Sequence, residues 1–184
     1  MTASDIRLIA AACDFAARRH VNQRRKGVAG EPYLNHLAEV AMLLAEASAG
    51  DAVLVAAGFL HDTLEDTETT YDEIAERFGD DMAALVGEVT DDKNLPKAER
   101  KRRQIEAAPH KSVRARLLKI ADKTSNLRAL AVSPPAGWDM ARISDYVDWA
   151  EKVVTGCRGL NVALEHAFDA AAVQAREAIA GRVS

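Results

Sequence analysis

The sequence predicts an all-α protein, and three observations carry that expectation. Apolar residues recur at the three-to-four spacing of a helix through most of the chain, no apolar–polar alternation is long enough for a strand, and the interruptions coincide with cap and turn residues. No internal repeat or low-complexity linker divides the chain, so residues 1–184 read as one domain.

Ser4 stands where a helix N-cap belongs, and Ile6, Ile9, Ala10, Cys13 and Ala17 then share a face, predicting a first helix from about Ser4 to near His20. Arg24-Arg25-Lys26-Gly27-Val28-Ala29-Gly30-Glu31-Pro32 is rich in glycine and positive charge and is expected to be a loop. Leu34, Leu37, Val40, Ala41 and Leu44 mark a second helix that ends before Gly50, and the uncharged run Ala52 to Leu60 a third, buried one. Thr70-Tyr71-Asp72-Glu73 matches a capping box, so a short helix should start there and stop at Gly79. Another spans roughly Met82 to Val89. Asp91-Asp92-Lys93-Asn94-Leu95-Pro96 is a turn, with Pro96 suited to the first position of the charged helix that follows. Ser112 is expected to cap a long helix to about Leu130, which Pro134-Pro135-Ala136-Gly137 ends. Two closing helices run from about Met140 to Thr155 and from Asn161 to Ala180.

With 48 % hydrophobic and 28 % charged residues the composition is that of an ordinary globular chain, which excludes extensive disorder. The longest uncharged stretches fall well short of the ~18 residues of a membrane span. Asp5, Arg7 and Asp14 interrupt what would be the apolar core of a signal peptide, so a cytoplasmic location is expected. A net charge of −4 argues against a nucleic-acid partner held by general electrostatics, while local basic clusters suit a small phosphorylated ligand. Cys13 and Cys157 lie far apart in helical patterns and read as packing residues.

The chemistry concentrates at His61-Asp62-Thr63-Leu64-Glu65-Asp66, directly after the apolar run. A buried helix that delivers an imidazole and three carboxylates at its C-terminal end opposes its own dipole and crowds like charges, and a bound cation would resolve both problems. His36 and Asp122 are polar residues set into apolar helical patterns, and with His61 and Asp62 they make a mixed nitrogen and oxygen donor set. Such a set suits a borderline first-row divalent metal and leaves coordination positions for water and substrate. His20, His110 and His166 show no partner pattern and are read as structural.

These residues resemble a known family. His36, His61-Asp62 and Asp122 reproduce the H…HD…D arrangement of HD-domain metal-dependent phosphohydrolases. The words Gly30-Glu31-Pro32-Tyr33-Leu34-Asn35-His36, Leu60 to Thr67, Glu88 to Lys93 and Ala121 to Arg128 are similar to the hydrolase domain of RelA/SpoT proteins, and most of all to the stand-alone small alarmone hydrolases, metazoan SpoT homologues included. The similarity runs from about Asp14 to about Leu164, leaving no room for synthetase or regulatory domains.

The resemblance implies a single HD-domain helical fold and hydrolysis of ppGpp or pppGpp to GDP or GTP and pyrophosphate. It implies one Mn²⁺ ion held by His36, His61, Asp62 and Asp122, and a catalytic pair, Glu65 and Asp66; Zn²⁺ or Fe²⁺ would be favoured over Mn²⁺ by affinity order alone. For the nucleotide, it sets Arg25, with Lys26 beside it, against the base. Asn126 shares a helix face with Asp122 and reaches toward the ribose, and Arg142 and Tyr146 share a face that closes over the phosphates. Lys97 and Arg102 are the members of the charged helix expected to touch phosphate. One position departs from the family pattern: Ala129, three residues after Asn126, cannot make the polar contact to the base found there in relatives. Adenine alarmones therefore stand beside ppGpp as substrates, NADPH 2′-phosphate hydrolysis is a second enzymatic reading, and a non-catalytic nucleotide-binding module is a third.

Overall fold

The computed structural model describes residues 1–181, so the last three residues of the expected domain lie outside it. In order the helices are α1 (Ala3–Arg19), α2 (Leu34–Ala47), α3 (Ala52–Leu60), α4 (Thr63–Asp66), α5 (Tyr71–Phe78), α6 (Asp80–Val89), α7 (Lys97–Ala107), α8 (Val113–Val132), α9 (Met140–Thr155) and α10 (Val162–Ala180). Among the described residues extended pairing is limited to two isolated bridges, Arg24 with Pro32 and Gly27 with Pro135, and the expected all-α class holds. No described helix is long and apolar enough to cross a membrane.

α8 runs through the middle. It packs along α10 and also meets α2, α3, α6 and α9, which is why its buried residues occupy nearly every face instead of one stripe. α3 is sandwiched against α1 and α2, and its run of small and branched apolar side chains leaves almost nothing exposed.

Several ends differ from expectation for identifiable reasons. The cap of α1 is Thr2, not Ser4: Thr2 Oγ1 accepts from the Asp5 amide at 3.2 Å and Asp5 Oδ2 accepts from the Thr2 amide at 2.6 Å. Three residues after Ser4 stands Arg7, which cannot reciprocate in this way. Thr70 does cap α5, but Glu73 gives its carboxylate to Arg19 of α1, so only half of that box forms. Pro96 is the cap of α7, one residue before the helical position expected. Ser112 caps α8 as expected, and that helix continues to Val132.

The most consequential difference follows α3. The helix stops at Leu60, His61 closes it, and Asp62 opens the separate turn α4, so Glu65 and Asp66 do not sit at the negative end of α3. The buried Thr63 hydroxyl donates to the Leu60 carbonyl at 2.6 Å, satisfying an acceptor that the helix end leaves free.

Gly58 sets the approach of α2 to α3. A Cβ placed there would lie 2.9 Å from Ala41 Cα and 3.0 Å from Ala41 N, both backbone atoms that cannot move aside. Gly58→Ala is therefore expected to destabilise the protein by about 2 kcal/mol, a fall of roughly 4–8 °C in Tm. In the same thermal unfolding measurement Gly87→Ala, whose Cβ would meet only the Tyr71 ring at 3.4 Å, should leave Tm unchanged or raise it.

Candidate active site

α2, α3, α4 and α8 bring four side chains to one point. His36 comes from α2, His61 and Asp62 from the α3–α4 junction, and Asp122 from the middle of α8; the two imidazoles and Asp122 are buried. Donor directions fix the imidazoles. Ser125 gives its hydroxyl hydrogen to Glu39 Oε2 at 2.7 Å, so at the 2.8 Å contact between His36 Nδ1 and Ser125 Oγ the ring nitrogen is the donor. His61 Nδ1 donates to the Gly58 carbonyl at 2.9 Å.

Both Nε2 atoms are consequently left facing inward, buried and without a hydrogen-bond partner. His36 Nε2 lies 3.7 Å from Asp62 Oδ2 and 3.4 Å from Asp122 Oδ1. His61 Nε2 lies 3.1 and 3.9 Å from the same two oxygens, and even the 3.1 Å approach falls off the hydrogen-bonding direction. Behind the carboxylates stand donors: Tyr33 Oη to Asp62 at 2.5 Å, and Lys123 Nζ and Asn126 Nδ2 to Asp122 at 2.8 and 2.6 Å. The arrangement fits a divalent cation, with His36, His61 and Asp62 presenting ligand atoms within 4.8 Å of one another and Asp122 closing the remaining side.

The electrostatics state the same demand. Burial pushes the His61 imidazole down, but the charges of Asp62 and Asp122 outweigh it and lift it to about 9, so a proton competes for the place of a cation. Burial works against ionised Asp62 too, yet His61 and His36 hold it well below the carboxylate range.

A cleft of about 480 Å³ opens beside this centre. Glu65 and Asp66 line one side; Lys97, Arg100 and Lys101 of α7, Lys119 and Lys123 of α8, and Arg142 of α9 line the rest. Burial, with Asp91, Asp62 and Asp66 adding repulsion, pushes the Glu65 carboxyl up, and Arg100 Nη1 approaches it at 3.3 Å. Asp66 stands at the rim, accepting from Gln23 at 2.9 Å and Lys93 at 2.7 Å. A second pocket of about 300 Å³ adjoins, walled by the 24–31 loop, Ala129, Leu130, Val132 and Pro135. Lys26, Tyr33, Asp66, Asn126, Trp138 and Tyr146 border both.

Of the residues expected to grip substrate, Arg25 lies over the Tyr33 ring at 5.8 Å and donates to Asn126 at 3.0 Å, which in turn donates to Asp122. Arg142 lies over Trp138 at 4.5 Å, and the packed surroundings of the Tyr146 hydroxyl push it up to about 12. Arg102 is not in the cleft; its guanidinium is held by Glu99 and Glu106 on the solvent side. Five positions from Lys97 it is turned roughly 140° around α7. The cleft-facing stripe is Lys97, Arg100, Lys101 and Gln104, spacing that the sequence contains but that the clustering of charge obscured. Lys119 and Lys123 were likewise missed, although with Asp122 and Asn126 they form one face of α8. Trp149 carried no charge to draw attention, yet its ring lies under both Lys101 Nζ at 4.8 Å and Lys123 Nζ at 4.5 Å.

A family profile described as the HD domain matches residues 12–147. The chain belongs to the HD-domain family. Within that family it is 52 % identical over 158 residues to the human guanosine-3′,5′-bis(diphosphate) 3′-pyrophosphohydrolase MESH1, covering 85 % of this chain and 88 % of the human one. It is 42 % identical to the guanosine-3′,5′-bis(diphosphate) 3′-pyrophosphohydrolase of Aquifex aeolicus over 127 residues, 66 % of this chain but only 17 % of that much longer protein. A solved structure described as a metazoan ortholog of SpoT that hydrolyses ppGpp superposes with a TM-score of 0.87 at 44 % identity, covering 91 % of this chain and 94 % of that one. The HD fold is thus common ground between this chain and its relatives, and the His36, His61 and Asp62 cluster of this chain fits a divalent metal.

Since Ser125 orients His36 and is itself oriented by Glu39, which Arg128 pairs at 2.9 Å, Ser125→Ala is expected to weaken Mn²⁺ binding about 10–100-fold while leaving the circular dichroism spectrum unchanged. Titration of the metal-stripped protein with Mn²⁺ measures this.

Proposed function

We propose that this HD-domain protein removes the 3′-pyrophosphate of ppGpp or pppGpp, giving GDP or GTP and pyrophosphate, with one Mn²⁺ ion in the His36, His61, Asp62 and Asp122 site. The observation that carries the proposal is the junction of a buried donor set demanding a cation, a carboxylate pair beside it, and a cleft whose other walls carry five or more cations. Relatives of this length and identity bear the same activity in their names.

A divalent ion held there would supply a water acidified to near neutral pH and would offset phosphate charge. Glu65, half-buried and less acidic than an ordinary carboxyl, faces the same space and is the group suited to take the proton of the attacking water. Asp66 orients that water from the rim. Water adds its oxygen to the phosphorus next to the ribose, the bond from that phosphorus to the ribose 3′-oxygen breaks, and the 3′-oxygen leaves with a proton. Lys97, Arg100, Lys101 and Arg142 take the charge of the departing pyrophosphate. Asn126, between Asp122 and Arg25, stands where the ribose must pass from one pocket to the other.

The second pocket receives the base. Arg25 and Tyr33 offer a stacking surface, and Lys26 borders both wells. At Ala129 the wall is a methyl group, and a pocket without a polar contact there rejects a related base only weakly. The adenosine counterpart is accordingly a second substrate. A cytoplasmic location fits a reaction on free nucleotides.

Incubating metal-stripped protein with ppGpp, with and without Mn²⁺, should release GDP and pyrophosphate only when the ion is added. Absence of turnover, with release of inorganic phosphate from NADPH instead, would replace this reading with the 2′-phosphatase one. Glu65→Ala is expected to lower kcat about 10²–10⁴-fold with Mn²⁺ still bound. Arg142→Ala should raise KM for ppGpp roughly tenfold, as loss of a charge-assisted contact implies, whereas Arg102→Ala should leave it unchanged.

A further inference from the structure

His20, at the end of α1, is buried at 3 % exposure, and no step of the reaction uses it. Its Nδ1 lies 2.5 Å from Gln23 Oε1, and Gln23 Nε2 donates to Asp66 Oδ2 at 2.9 Å. An amide oxygen and a carboxylate both only accept, so the Gln23 amide serves both neighbours in a single orientation, with its nitrogen toward Asp66. That orientation requires the His20 hydrogen on Nδ1. The reverse would set the amide oxygen against the carboxylate and move the histidine hydrogen to Nε2, a buried atom with no partner.

The same ring has a second neighbour. His20 stacks on Tyr33, centroids 5.1 Å apart and planes 26° from parallel, and the Tyr33 hydroxyl donates to Asp62. The backbone fastens all three, since the Gln23 amide donates to the His20 carbonyl at 2.9 Å and the Tyr33 amide donates to the Gln23 carbonyl at 3.1 Å. Lys93 also reaches Asp66, but an ammonium on a flexible, half-exposed stem supplies charge without fixing direction.

We propose that His20 is a positioning residue that aims Asp66 through Gln23 and Asp62 through Tyr33, so that one buried ring sets both a catalytic carboxylate and a metal ligand. The inference rests on the roles given above to Asp66 and Asp62. Histidine that only filled the core would have no need of an ordered amide between it and the cleft.

The test compares wild type, His20→Phe, Gln23→Ala, the double variant and His20→Asn, each loaded with Mn²⁺ and assayed on ppGpp. His20→Phe keeps a ring on Tyr33 but loses the donor, and Gln23→Ala loses the contact to Asp66. Each is expected to lower kcat about 10–100-fold with KM and Mn²⁺ affinity little changed. The double variant should lose no more than the worse single one, because both cut the same relay. His20→Asn, whose amide nitrogen takes the place of Nδ1, should restore most of the kcat lost in His20→Phe but bind Mn²⁺ more weakly, for want of the ring on Tyr33. Wild-type kcat in both single variants, or losses that multiply in the double variant, would overturn the proposal. Should His20→Phe not fold, Gln23→Ala and the nitrogen-15 spectrum of wild type decide it. That spectrum should show His20 as the Nδ1–H tautomer and a Gln23 side-chain amide slow to exchange; an Nε2–H tautomer or a freely exchanging amide would overturn the relay. Because the spectrum needs no turnover, it also separates failure of this inference from a wild type that leaves ppGpp intact.

Discussion

Two imidazole nitrogens and two carboxylate oxygens face one another in the interior with no hydrogen bond formed among them, and the rest of the molecule is arranged around that constraint. Burying such a set without a partner is costly, so each member is held by a counterpart on its far side. Ser125 and the Gly58 carbonyl hold the imidazoles, and Tyr33, Lys123 and Asn126 the carboxylates. These holders come from the α1–α2 loop, α3 and α8, and so the geometry of the site and the packing of the helices are one problem. Gly58 shows it in a single residue: its missing side chain lets α2 approach, and its carbonyl orients His61.

Charge is segregated in a way the net value of −4 conceals. Carboxylates gather on α4 and at Asp122, while the cations of α7, α8 and α9 face them across the cleft. Both sets are partly buried, where salt screens less than it does on the open surface. Glu65 and Asp66 rest against Arg100 and Lys93, and a polyanion entering the cleft would compete with Glu65 for Arg100.

Most of the fold was legible because apolar period and cap chemistry are local: Ser112, Thr70 and the Pro134-Pro135 break mark real boundaries. The four candidate metal ligands were legible because each is a polar interruption of an apolar pattern, and the structure brings them together. What was not legible depended on geometry beyond one element. The break between α3 and α4 carries no glycine or proline at the junction, only a side-chain bond from Thr63 to the Leu60 carbonyl that forms on folding. On α7 charge alone could not separate Arg102, paired outward, from Arg100 and Lys101, which face the cleft. His20 looked structural because its partners, Gln23 and Tyr33, are ordinary loop residues until the chain folds back at Arg24 and Pro32.

The chain has two tryptophans, Trp138 and Trp149, and both stand in the wall of the cleft with cations against their rings. Both are partly buried and pack against the edge of the core from the cleft side. Indole emission from this protein therefore reports the cleft wall first, and is sensitive to whatever displaces Arg142, Lys101 or Lys123. A melting curve followed by fluorescence and one followed by helicity need not describe the same event, and any gap between them would measure how far the cleft comes apart before the fold does.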